Sequence, residues 1–119
     1  MAVGLDQSPV VSGSSVTQIT SRATGVTIHA RSGTITTDTS SLAAEAAASF
    51  VVTNNKVEIG DVIVVSQRSG AIGVMTAVEV IAVAAGSFTI AVMNGNVASG
   101  TAETGAIIIN FIVLKGVGI

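Results

Sequence analysis

Apolar and polar residues change places at every second position along most of this chain, the period of a β-strand and not of a helix. In "GVTIHA" Val26 and Ile28 share one face, with Thr27 and His29 on the other. "SVTQIT" sets Val16, Gln18 and Thr20 against Thr17 and Ile19, and "SFTIAVMN" puts Phe88, Ile90 and Val92 on one face. "GTITT", "SFVVTN", "DVIVVSQ" and "TAVEVIAV" supply further β-rich runs. Turn-forming residues separate them at Arg31-Ser32-Gly33, Asn54-Asn55, Arg68-Ser69-Gly70 and Ala85-Gly86. The last run differs: eight of the nine residues from Ala106 to Leu114 are apolar, and only Asn110 interrupts them. Its β-branched residues favour extended chain, but both faces of the resulting strand are oily.

Seven or eight strands, with turn signals roughly every 8 to 12 residues, predict an all-β fold. The expected architecture is an antiparallel β-sandwich or jelly-roll-like barrel. No βαβ rhythm is present. The alanine-rich half of "SSLAAEAAASFVVTNNK" allows a short helical turn capped by Ser40 or Ser41, too short to stand alone. Residues 1–15 lack a sustained period and read as an extended N-terminal arm, leaving 16–119 as a single β-sandwich domain.

Composition sharpens this picture. Hydrophobic residues make up 49% of the 119 positions and charged residues only 10%, against roughly 25% in ordinary domains. Phe50, Phe88 and Phe111 are the only aromatic residues, so the interior must be layered Val, Ile and Ala. The apolar excess on strands predicts a surface that sister copies cover, in a permanent homo-oligomer. On the last strand the candidate interface is Ile107, Ile109, Phe111 and Val113, with Ile108, Ile112 and Leu114 as the alternate set. Pattern alone does not say which set faces inward.

Charge and motif content point away from chemistry. Net charge is −2, with five basic and seven acidic residues scattered singly, so no basic patch invites nucleic acid. Without cysteine there is no disulfide and no thiolate chemistry. The start "MAVGLDQSPVVSGSSV" does not read as a secretory signal. Glu79 and the Gly86-Ser87 break make residues 71–93 two strands joined by a turn rather than a membrane span. His29 reads as a strand residue at a surface or subunit contact, and no serine sits in G-x-S-x-G. "NNKVEIGD" gathers Asn54, Asn55, Glu58 and Asp61 without the alternating order of a calcium loop, and reads as a polar turn. Glu79 reads as an exposed strand position. No catalytic residue, cofactor or metal site is expected, and the protein is expected not to be an enzyme.

Four stretches carry a family resemblance: Phe50 to Asn54, Asp61 to Val64, Ala85 to Ile90, and Ile109 to Gly116. Their order is a Phe-x-Val-Thr-Asn strand end, an Asp-Val-Ile strand, an Ala-Gly-Ser-Phe-x-Ile turn and strand, and an Ile-Asn-Phe-x-Val-x-Lys-Gly strand. The set resembles small virion structural proteins of tailed bacteriophages, over roughly residues 16 to 116. The resemblance implies a capsid decoration (cement) protein, commonly a trimer on the capsid exterior, made in the host cytoplasm and bridging major capsid protein subunits. Its arm, through Val3, Leu5, Val10 and Val11, would then lie across the capsid protein. The alternative implied is a trimeric module of a tail fibre or tailspike that binds the host surface.

Overall fold

In the computed structural model, which describes residues 13–70, 75–97 and 100–116, the chain forms eight strands and no helix. They are β1 (Ser14–Thr17), β2 (Val26–Thr27), β3 (Ser32–Thr36), β4 (Ala47–Thr53), β5 (Val62–Ser69), β6 (Thr76–Ala84), β7 (Ser87–Asn94) and β8 (Ile108–Leu114). Sheet one has the order β1-β3-β8-β5 and sheet two the order β2-β4-β7-β6. Packed together, they make the all-β sandwich that the alternating pattern predicts.

The sheets are mixed instead of purely antiparallel. β1 runs parallel to β3, and β2 parallel to β4, while the other pairs are antiparallel. The cause is the path of the chain. It places successive strands in alternate sheets from β1 through β6, so β2 lies between β1 and β3 in sequence but in the opposite layer. Two reversals bring the chain back beside its starting strand in the same direction. Only β6 and β7 follow each other within one sheet, and their turn is Ala85-Gly86 with Gly86 at φ 83°. Glycine adopts that conformation without the clash a Cβ would bring.

Alternation builds the core. Ile35, Ile63, Ile109, Phe111 and Val113 from sheet one meet Phe50, Val52, Phe88, Ile90 and Val92 from sheet two, all buried. The rings of Phe88 and Phe111 touch across the layers, centroids 5.5 Å apart. Gly33 lies opposite Phe111 in the ladder. A Cβ there would come within 2.9 Å of the Phe111 ring and 2.8 Å of Ile28 Cδ1, so glycine makes room for the aromatic ring.

Two sequence expectations are corrected. The alanine-rich segment forms no helical turn. Leu42 bridges to Glu103 by paired backbone hydrogen bonds of 2.9 and 2.8 Å, and Ala44-Glu45 turn with Glu45 at φ 66°. Ala47 and Ala48 already belong to β4, where β7 supplies their ladder partners. Pairing across the sheet outweighs the helical preference of alanine. The local cap is Asp38, whose Oδ2 accepts from the Ser40 N–H at 2.9 Å. Secondly, Ser14 and Ser15 belong to β1 and not to the arm; residues 1–12 lie outside the described residues.

Buried polar side chains lock the loops. Asn54, at the end of β4, donates to Ala30 O at 2.6 Å and accepts from the N–H groups of Ala30 and Lys56. Asn94, at the end of β7, donates to Leu42 O and Thr101 O. Arg22 is 4% exposed and donates to four acceptors on two loops: Ser40 O, Thr37 Oγ1, Glu103 O and Gly105 O. Burial lowers its pKa, opposed by the charges of Glu103 and Asp38. Gln18 completes this end of the sandwich, donating to Arg22 O and Thr24 O and accepting from the Asp38 N–H.

Candidate interaction surface

The two lateral sides of the sandwich are not alike. On one side the edge strands β1 and β2 are four and two residues long; Val26 of β2 and the adjacent Ile28 are buried, and Val16 of β1 is half-buried. On the other side β5 and β6 run for eight and nine residues. Here the inward-facing valines are only half-buried: Val65 on β5, and Val78, Val80 and Val83 on β6. Their ladder partners are core residues, Phe111 for Val65 and Val92, Ile90 and Phe88 for the other three. These valines pack against the core and bring its edge to the surface along the β5–β6 side.

Exposed apolar residues continue this edge onto the outer faces. Val62 and Val64 of β5 are 55% and 45% exposed, and opposite them on β8 lie Leu114, 47% exposed, and the half-buried Ile112. On β6, Ile81 is 54% exposed. Each of the two strands carries one charge, Arg68 on β5 and Glu79 on β6, both exposed. Glu79 thus occupies the exposed strand position expected of it. At one end of this side Thr76 Oγ1 donates to Gln67 Oε1 at 3.0 Å, tying the two sheets together.

Both edge ladders are interrupted. The register shifts between Gln67 and Ser69, leaving Arg68 as an extra residue, and between Val80 and Ala82, leaving Ile81. Bulges of this kind break the regular row of donors and acceptors that an incoming strand would need.

The final strand decides the question its pattern left open. Ile107, Ile109, Phe111 and Val113 are buried in the chain's own interior, between β8 and sheet two, so this set is not an outward interface. Register with β3 and β5 turns the alternate residues Ile108, Ile112 and Leu114 outward, half-buried or exposed. The arm residues Val3, Leu5, Val10 and Val11 lie outside the described residues.

"NNKVEIGD" folds as a polar turn held by local bonds. Asp61 is buried: Oδ2 accepts from Lys115 Nζ at 2.6 Å and from the Glu58 N–H at 2.8 Å, and Oδ1 accepts from the Gly116 N–H at 3.0 Å. The Lys115 bond, followed by these backbone donors, lowers the Asp61 pKa from 3.8 to about 2. Asp61 in turn raises that of Lys115, which also reaches Glu58 at 3.3 Å. His29 is exposed, and its Nδ1 accepts from the Asn55 N–H at 3.0 Å. Among the described residues no three His, Cys, Asp or Glu side chains come together as metal ligands.

An open groove of about 490 Å³ crosses β1, β3 and β8, and Ser14, Ser15, Ser32, Thr34 and Asn110 are among its lining residues. Gly13, Gly33 and Phe111 complete it, so its hydroxyls and amide share the lining with apolar surface, and none of its lining residues is ionisable. Thr34 Oγ1 donates to Asn110 Oδ1 at 3.0 Å, which leaves the Asn110 amide NH₂ as a donor group.

Sequence reasoning overlooked the apolar β5–β6 side and the buried Arg22. A signal for the former was present: in "TAVEVIAVA" apolar residues occupy both strand faces, as they do in the final strand. For Arg22 no pattern existed, because it stands alone in a loop. Comparison with protein-family models, curated proteins and solved structures found no match to this chain.

Proposed function

We propose that this protein is a non-enzymatic structural subunit of a tailed-phage virion, a capsid decoration (cement) protein that acts as a homo-oligomer, a trimer by its resemblance to such proteins. The observation that carries this reading is the half-buried edge of the core. A sandwich whose valines reach the surface along two long strands, in a chain with 10% charged residues, is built to be covered. The resemblance of its strand and turn motifs to those of small virion proteins supports the same reading. In this role the oligomer sits on the outside of the shell and the arm, through Val3, Leu5, Val10 and Val11, grips the major capsid protein.

Co-sedimentation with undecorated capsids tests the proposal. The full chain should pellet with the capsids at saturating stoichiometry, and a chain lacking the first 12 residues should stay in the supernatant while keeping its oligomeric mass. Failure of the full chain to bind capsids would refute the decoration role.

A second reading, a trimeric tail-fibre or tailspike module, is favoured by one feature, the uncharged hydroxyl-lined groove on β1, β3 and β8. A neutral groove rich in Ser, Thr and Asn matches the hydrogen-bonding needs of a surface glycan. Binding to host cells, and a few copies per particle instead of many, would favour this second role.

A further inference from the structure

We infer that the β5–β6 side is where one copy of this chain packs against another. This rests on the assembly reading above and names its surface. The side carries apolar residues in a stripe of three rows: Val62 and Val64 on the outer face of sheet one, the half-buried Val65, Val78 and Val80 in the seam, and Ile81 on the edge of sheet two.

Three features select a second copy as the occupant. The first is the pair of bulges. With the ladders broken at Arg68 and Ile81, an added strand would be confined to the six regular residues 62–67 of β5 or the five of 76–80 of β6, which favours a partner that presents a packed apolar surface. The second is charge. Arg68 and Glu79 are the only charges on the two strands and cancel, so copies that converge on this side around a symmetry axis bring no net charge into the contact. Each also brings the counter-charge of the other, as a closed symmetric interface requires. One cation per copy is too little to hold a nucleic-acid backbone.

The third is size. Strands of eight and nine residues, set about 10 Å apart across the core with one outer row on each sheet, give a side of roughly 30 by 20 Å, on the order of 600 Å² per copy. Stable specific interfaces bury roughly 600–1,000 Å² per partner. This side reaches that range without help from the rest of the surface.

Light scattering on the purified full-length chain, with and without single lysine substitutions, tests the inference. Val64→Lys and Ile81→Lys each place a charge on the stripe at an already exposed position, so the fold is retained, as the far-UV circular dichroism and melting curve will show. Ile19→Lys and Val97→Lys, still more exposed positions off the stripe, serve as controls. The expected result is a multimer for the parent chain and both controls, with each stripe variant dissociating at an at least tenfold higher concentration. A multimer that the stripe variants leave unchanged, or that the controls weaken equally, would overturn the inference while leaving an assembly role standing. A parent chain that is monomeric at about 100 µM yet binds capsids would also overturn it, leaving the decoration role intact. A monomer that binds no capsid would sink both.

Discussion

Replacing Arg22 with methionine should remove much of the stability of this domain. The guanidinium is 4% exposed and donates to Thr37 Oγ1 at 3.1 Å, Glu103 O at 3.2 Å and Gly105 O at 2.8 Å, with a further bond from Nε to Ser40 O. Methionine fills similar volume but donates nothing. Thr37 Oγ1 and Glu103 O keep other donors, from the N–H groups of Ile107 and Leu42. The principal loss therefore falls on the buried Gly105 carbonyl and on the buried Glu103, which keeps the Gly105 N–H but loses its nearby cation, while water can reach the exposed Ser40. Each orphaned acceptor costs about 1–3 kcal/mol. Against this stands the relief of desolvating a cation, worth several kcal/mol, which removal of the charge returns. Unpaired buried partners weigh more than this relief when only one side of a network is deleted, and the net loss is about 3 kcal/mol. For a domain of this length, that corresponds to a fall in melting temperature of roughly 10–20 °C. Thermal unfolding followed by circular dichroism, with urea denaturation to give the free energy, measures it. Arg22→Lys, which restores a donor and the charge, should recover part of the loss. A methionine variant melting within about 3 °C of the parent would show that the network is a passenger rather than the clamp joining these loops.

Two other perturbations follow from the same geometry. The Asp61 carboxylate is favoured in the folded state, its pKa lying at about 2 against the ordinary 3.8. Its contribution is therefore complete above pH 4 and is lost as pH falls toward 2. Melting temperature should drop across that window, and Asp61→Asn should start lower at neutral pH and show a shallower drop; parallel pH profiles would remove Asp61 from the explanation. Gly33→Ala should cost about 1–3 kcal/mol, because the added methyl meets Ile28, the Phe111 ring and Ser14 O all within 3.0 Å. Urea denaturation checks this, and an unchanged midpoint would mean that the core has slack beside Phe111.

The parts of the fold legible in the sequence were those written in local alternation. "SFTIAVMN" is a strand with the bounds its pattern suggests, and Phe88, Ile90 and Val92 do share the inner face. Where a segment is apolar on both faces, alternation carries no direction. Ile107, Ile109, Phe111 and Val113 face inward because β8 is wedged between β3 and β5 in one register, a fact held by distant residues. The alanine-rich segment misleads for a related reason, since helix preference of tenths of a kcal/mol per residue yields to a ladder with β7. Parallel pairing of β1 with β3 was hidden too, because it arises from the route between layers and not from any one strand. The apolar β5–β6 side needed both sheets in place before the half-buried valines could be seen as a seam.

The alternation of strands between layers also governs when this molecule can fold. β7 and β8 sit inside their sheets, each flanked by partners made earlier, yet of the eight strands they are the last two to leave the ribosome. Only the β6–β7 hairpin closes locally; every other ladder waits for a long loop to find its ends, which makes folding slow. Until the final third of the chain emerges, β1 through β5 have few lasting partners and their aliphatic faces stand exposed to aggregation or to chaperones. Premature termination before Ile108 should therefore yield no partial sandwich, only material for proteolysis.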